Sequence, residues 1–95
     1  MEPMEPTASH PPYPAAVSLH SLAIGRSALI LQVPASVAGA LDADGIAPGE
    51  IVEIETRQPF GGPVVVRVGH ARVALALRIA RAILVEPVLA DPLAR

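Results

Sequence analysis

The chain has 95 residues, with 11 Pro, 7 Gly, no Cys, no Trp, one Phe and one Tyr, which leaves room for one small domain and excludes two. Hydrophobic residues make up 52% and aromatics 2%, so the core is aliphatic; the lack of cysteine excludes disulfide staples, thiolate metal sites and thiol nucleophiles. The formal net charge is -2 and all seven bases are Arg, a balance that makes nucleic acid an unexpected partner.

Residues 1–16 hold five of the eleven prolines, interleaved with Ala, Ser, Thr, Glu2 and Glu5. Proline biases such a stretch toward extended, solvated conformers and little in it can be buried, so a disordered tail is expected. An export signal needs a positive start followed by an apolar run. This chain begins Met-Glu-Pro-Met-Glu-Pro, and the expected location is cytoplasmic. The charge-free apolar stretch from Ser27 to Leu41 contains Gln32, Pro34 and Ser36 and is shorter than the ~20 apolar residues of a spanning helix.

A first strand is expected from about Ser27 to Val33, its facing ambiguous because Leu29, Ile30 and Leu31 are all apolar. A short helix follows. Ser36 is placed to cap it, and Val37, Ala40 and Leu41 share one side at helical spacing. Gly45 in the left-handed conformation ends it, with Ile46 packing back on Leu41 as a Schellman motif requires. Ile51 to Arg57 then alternates, putting Val52, Ile54 and Thr56 on one face and Glu53, Glu55 and Arg57 on the other. Pro63 to Val68 continues with Val64, Val66 and Val68 inward. Gly69-His70 makes a two-residue turn into a strand from Ala71 to Leu77. A last strand runs from Ala82 to Glu86. The expected fold is mainly β: a small SH3-like β-barrel spanning residues 17–87, with one short helix between the first and second strands and a C-terminal tail at 88–95. Closure removes the exposed edges that an open sheet of this size would leave.

The chemistry of catalysis is poorly represented. The chain has no Gly-x-Ser-x-Gly elbow, no Gly-rich phosphate loop with Lys and no His-Glu-x-x-His helix, so it is not expected to be an enzyme or to hold a cofactor. His10, His20 and His70, with Asp42 and Asp44, are the metal-ligating types available, and none has diagnostic spacing; no metal site is expected. On the outer face the Gly69-His70 turn sets Arg67 opposite Arg72, a like-charge pair that needs an offset. Glu53 or Glu55 supplies it, depending on the register of the preceding hairpin. The rival reading is an Arg pair held for an acidic partner, joined by Arg57 and Arg78. Phe60 lies between turn residues, either plugging a barrel end or standing out as an anchor for a partner pocket. Ile51, Val65, Ala74 and Ala76 share the outward parity as an apolar strip, a feature that favours homo-oligomers.

The order of Ser-Leu-His-Ser-Leu-Ala-Ile-Gly at 18–25, Gly-Ile-Ala-Pro-Gly at 45–49, Pro-Phe-Gly-Gly-Pro at 59–63, and Arg72-Val73-Ala74-Leu75 followed by Ala80 to Val85 resembles the FeoA family, the ferrous iron transport protein A domain. That resemblance implies an SH3-like fold and a noncatalytic accessory role in ferrous iron transport. It also implies a cytoplasmic partner, the cytosolic part of the FeoB permease, through which alone the chain meets a membrane. Pro59, Phe60, Arg67 and Arg72, with Leu41 and Ile46 at the helix end, are the expected partner-binding residues. The alternative is a metal-responsive or peptide-binding SH3-like domain resembling the C-terminal domain of iron-dependent repressors. Members of the family often carry bases on the short helix, whereas Ser36 to Asp44 contains Asp42, Asp44 and no base.

Overall fold

Alternating apolar and polar residues build the molecule, because a period of two sends every second side chain to the same face of a sheet. The computed structural model describes residues 16–88; the expected tails lie almost wholly outside them, as does His10. Six strands, β1 (Val17–Ser18), β2 (Ser27–Gln32), β3 (Ile51–Arg57), β4 (Val64–Val68), β5 (Ala71–Leu75) and β6 (Leu84–Pro87), form one antiparallel sheet in the order β1-β6-β2-β3-β4-β5. Helix α1 (Ala38–Ala43) lies between β2 and β3, and helix α2 (Leu77–Ala82) joins β5 to β6. Among the described residues no helix is long and apolar enough to cross a membrane.

Strand β2 is central, paired with β3 on one side and β6 on the other. That explains its apolar character on both faces: Ala28 and Ile30 are buried, whereas Leu29 and Leu31 are half-buried. Val52, Ile54, Val64, Val66, Val68, Leu75 and Val85 complete the inward face, with Leu41 and Ile46 beneath α1 and Ala80 beneath α2. Among the described residues no polar or charged side chain is buried, so the core holds no group whose desolvation must be offset.

The end of α1 takes the expected form. Gly45 has φ 88°, the Ile46 N–H donates to the Leu41 carbonyl at 2.8 Å, and the Gly45 N–H donates to the Asp42 carbonyl at 2.9 Å. These are the two hydrogen bonds of a Schellman cap. The start differs: Ser36 lies inside a 3-10 turn, Ala35–Val37, and no side chain caps α1. At the β4–β5 hairpin Gly69 alone of the two turn residues has positive φ, the signature of a type II′ turn.

Two expectations about the sheet are corrected. A bulge falls between Ile54 and Thr56, where the register of β3 on β4 shifts. The extra residue reverses the parity beyond it, so Thr56 turns outward and Arg57 turns to the side of buried Val64. Arg57 is half-buried there and its Nη1 donates to the His20 carbonyl at 3.1 Å. The strand expected from Ala71 to Leu77 ends at Leu75, and α2 follows. The alternation of Val73, Leu75, Leu77 and Ile79 imitates a strand, but Leu77, Ala80 and Ile83 also recur at helical spacing. Helical winding buries Ala80 completely and leaves Arg78 and Arg81 in solvent, and the extended residue that follows, Ile83, is completely buried as well.

Helix α2 also brings the two ends of the sheet together. It packs on the 3-10 turn Leu19–Ser21 and on β1. The Ser18 hydroxyl donates to the Ala80 carbonyl at 3.3 Å, and the Leu19 N–H donates to the Ile83 carbonyl at 2.8 Å. The gap between edge strands β5 and β1 is thereby spanned by a helix instead of a seventh strand.

Candidate functional site

The loop between β3 and β4 is shaped by what its residues lack. Gly62 sits so close to Gln58 that an added Cβ would fall 2.5 Å from the Gln58 Cβ, and the Gln58 N–H donates to the Pro63 carbonyl at 3.3 Å across the loop mouth. Pro59–Gly61 forms a 3-10 turn in which Phe60 adopts φ 63°, ψ 32° and Gly61 adopts φ 82°. Two successive left-handed residues turn the chain sharply. Phe60 is the one non-glycine residue with positive φ among the described residues, and its side chain is fully exposed, at 104%. A bulky aromatic in this backbone region is a true outlier. Of the two readings of Phe60, the exposed one is observed.

Gly61 rests on α2, its Cβ position 3.6 Å from Leu77 Cδ2. Between the loop and the helix runs an open groove of about 630 Å³, lined by Gly61, Pro63, Ala76, Leu77, Arg78 and Arg81. A smaller depression of about 260 Å³ lies between α2 and the turn before α1, and Arg78 borders that one too.

On the outer face of the meander, Arg67 stands directly opposite Arg72 on one side and Glu53 on the other. The register and the bulge together bring both glutamates to the pair. Arg67 Nη2 lies 2.8 Å from Glu53 Oε1, Arg72 Nε lies 2.8 Å from Glu55 Oε1, and Arg67 Nη1 lies 3.7 Å from Glu55 Oε2. The hydrogen bond from Arg67 to Glu53, with the charges of Glu53 and Glu55, holds the Arg67 guanidinium above its ordinary range. Two carboxylates thus offset two guanidiniums, and the ladder is close to neutral.

The expected partner-binding residues do not gather into one patch. Pro59 and Phe60 are exposed at the loop tip, and Arg67 and Arg72 are exposed on the sheet. Leu41 and Ile46 are in the core, joined to each other by the helix cap. The outward apolar strip is divided, because Glu53, Arg67 and Arg72 separate Ile51 from the paired Val65 and Ala74. His70 is exposed in the β4–β5 turn, and Asp42 and Asp44 are exposed at the end of α1. Among the described residues no group of three or more His, Asp and Glu side chains could hold a metal ion. Arg81 was not singled out from sequence; its spacing from Arg78 on one helical face is the signal that marks it.

A model of the FeoA domain matches residues 17–87. Among solved structures, the solution structure of iron(II) transport protein A from Clostridium thermocellum is 32% identical, covers 76% of this chain and 46% of its own, and superposes with a TM-score of 0.70. The crystal structure of Stenotrophomonas maltophilia FeoA complexed with zinc, an SH3 domain protein, is 31% identical over 72% of this chain and 87% of its own, with a TM-score of 0.61. A manganese-dependent transcriptional repressor, 22% identical, shares the fold over 86% of this chain and 46% of its own, with a TM-score of 0.73. A search of curated proteins gave no match.

Proposed function

Because the chain belongs to the FeoA domain family, we propose that it is a noncatalytic accessory module of ferrous iron transport, acting in the cytoplasm by docking on the cytosolic part of a FeoB-type permease. Phe60 carries the reading: a fully exposed aromatic held in a disfavoured backbone conformation contributes nothing to the core, and strain of this kind collects at ligand-contacting positions. Aromatic side chains are also enriched in protein interfaces relative to the rest of the surface. Pro59 and Phe60 form the contact tip, with Arg67 and Arg72 on the adjoining sheet. Leu41 and Ile46 serve from below, as the joint that holds the end of α1. Titrating the full chain against the purified cytosolic region of the permease, with and without guanine nucleotide, tests the proposal. Saturable binding that Phe60→Gly abolishes is expected; no association in any nucleotide state overturns it.

A second reading, a metal-responsive domain, draws on the zinc complex of the Stenotrophomonas relative. Calorimetry of the full chain with ferrous or manganous ions distinguishes it. Saturable heat that disappears in His70→Ala supports a metal role, and a flat titration removes it.

A further inference from the structure

We propose that the groove between the Phe60 loop and α2 receives an acidic, leucine-bearing peptide segment of the protein partner, with Arg78 and Arg81 binding its carboxylates. The inference rests on the reading above for the partner being a protein, and adds the chemistry that the partner presents.

The six arginines among the described residues divide into two groups. Arg57 is engaged by a backbone carbonyl, and Arg67 and Arg72 by Glu53 and Glu55. Arg26, Arg78 and Arg81 have no ion pair or hydrogen bond among the described residues. Of these, Arg78 and Arg81 stand together on the rim of the larger groove, three residues apart and therefore on one face of α2. Arg81 in the last turn suits the helix dipole, but Arg78 lies in the first turn, where a cation is disfavoured and no acidic side chain offsets it. The local structure gives Arg78 no favourable role.

Between the arginines and the loop the floor is apolar, made by Pro63, Ala76 and Leu77. A ligand complementary to both features carries carboxylates for the rim and an aliphatic side chain for the floor. A planar guanidinium can take a carboxylate through two parallel hydrogen bonds, so the pair recognises acidic side chains specifically. A second copy of this chain is the rival occupant, through exposed Asp42 and Asp44. Those two are separated by two positions, however, and do not share a helix face as the arginines do.

The test titrates the isotope-labelled full chain with a synthetic peptide of alternating Glu and Leu, and in parallel with its Lys-Leu counterpart, followed by amide chemical shifts. The Glu-Leu peptide is expected to shift Gly61 and Ala76 to Ala82. Its affinity is expected to fall about tenfold in the double variant Arg78→Glu with Arg81→Glu, and to weaken with added salt. Both positions are exposed, and unchanged shifts in β2 to β4 verify that the variant is folded. The paired Gln substitutions are expected to give a smaller loss. No shift, an equal response to the Lys-Leu peptide, or groove shifts that track only the concentration of the chain itself each overturn the proposal. Permease binding undiminished by the double Glu variant overturns this inference alone. A positive Glu-Leu titration without permease binding overturns the reading above alone.

Discussion

Phe60 concentrates two departures at one position, a left-handed backbone and a fully exposed ring. A left-handed L-residue costs roughly 1–2 kcal/mol, while replacing it by glycine adds unfolded-state freedom worth about 0.4–1 kcal/mol. With no buried area at stake, Phe60→Gly is expected to leave stability within about 1 kcal/mol of the parent in chemical denaturation while binding is lost. A larger drop in stability would mean that the ring packs on the domain. Gly62 presents the opposite case, since its φ of -74° is open to any residue and only the approach of Gln58 forbids a side chain. Gly62→Ala is expected to destabilise by about 1–3 kcal/mol through overpacking, seen as a lower denaturant midpoint.

The outer ladder of β3, β4 and β5 shows what one extra residue does to an element. Regular pairing sets a single residue, Glu53, directly opposite Arg67. The register shift near Glu55 lets Glu53 meet Arg67 while Glu55 reaches both Arg72 and Arg67. Glu55→Ala is expected to lower the melting temperature by leaving Arg67 and Arg72 opposed, and the difference should shrink as salt rises, because exposed charges are screened. A loss independent of salt would assign the effect to the bulge backbone. The pH behaviour of Arg67 follows from the same contacts. Its proton is held more tightly in the folded state, so its contribution is complete throughout the neutral range and is lost only in strong alkali.

At the scale of the whole molecule, stability and the candidate groove share one joint. Ile83 is fully buried, its carbonyl accepts the Leu19 N–H, and it links α2 to β6. Ile83→Ala is expected to cost about 2–5 kcal/mol, a large share of the 5–15 kcal/mol typical of a folded domain. Urea denaturation checks this. A cost below about 1 kcal/mol would mean that the closure is not cooperative with the core. Because Leu77, Arg78 and Arg81 ride on the same helix, a variant that loosens this joint should also weaken binding at the groove.

Much of the molecule is legible from the order of its residues. Alternation placed Val52, Ile54, Val64, Val66 and Val68 inside, the spacing of Gly45 and Ile46 after Leu41 specified the helix cap, and the two-residue Gly69-His70 turn set Arg67 against Arg72. These are local matters, decided by backbone geometry over a few residues. Two others depended on how elements pair and pack. The register of β3 on β4 placed the bulge and turned Thr56 outward, and Leu77–Ala82 formed a helix that packs on the Leu19–Ser21 turn and on β1. Short apolar segments can wind or extend at similar local energy, so the choice falls to whichever burial the assembled chain offers. That choice put Arg78 and Arg81 on one rim.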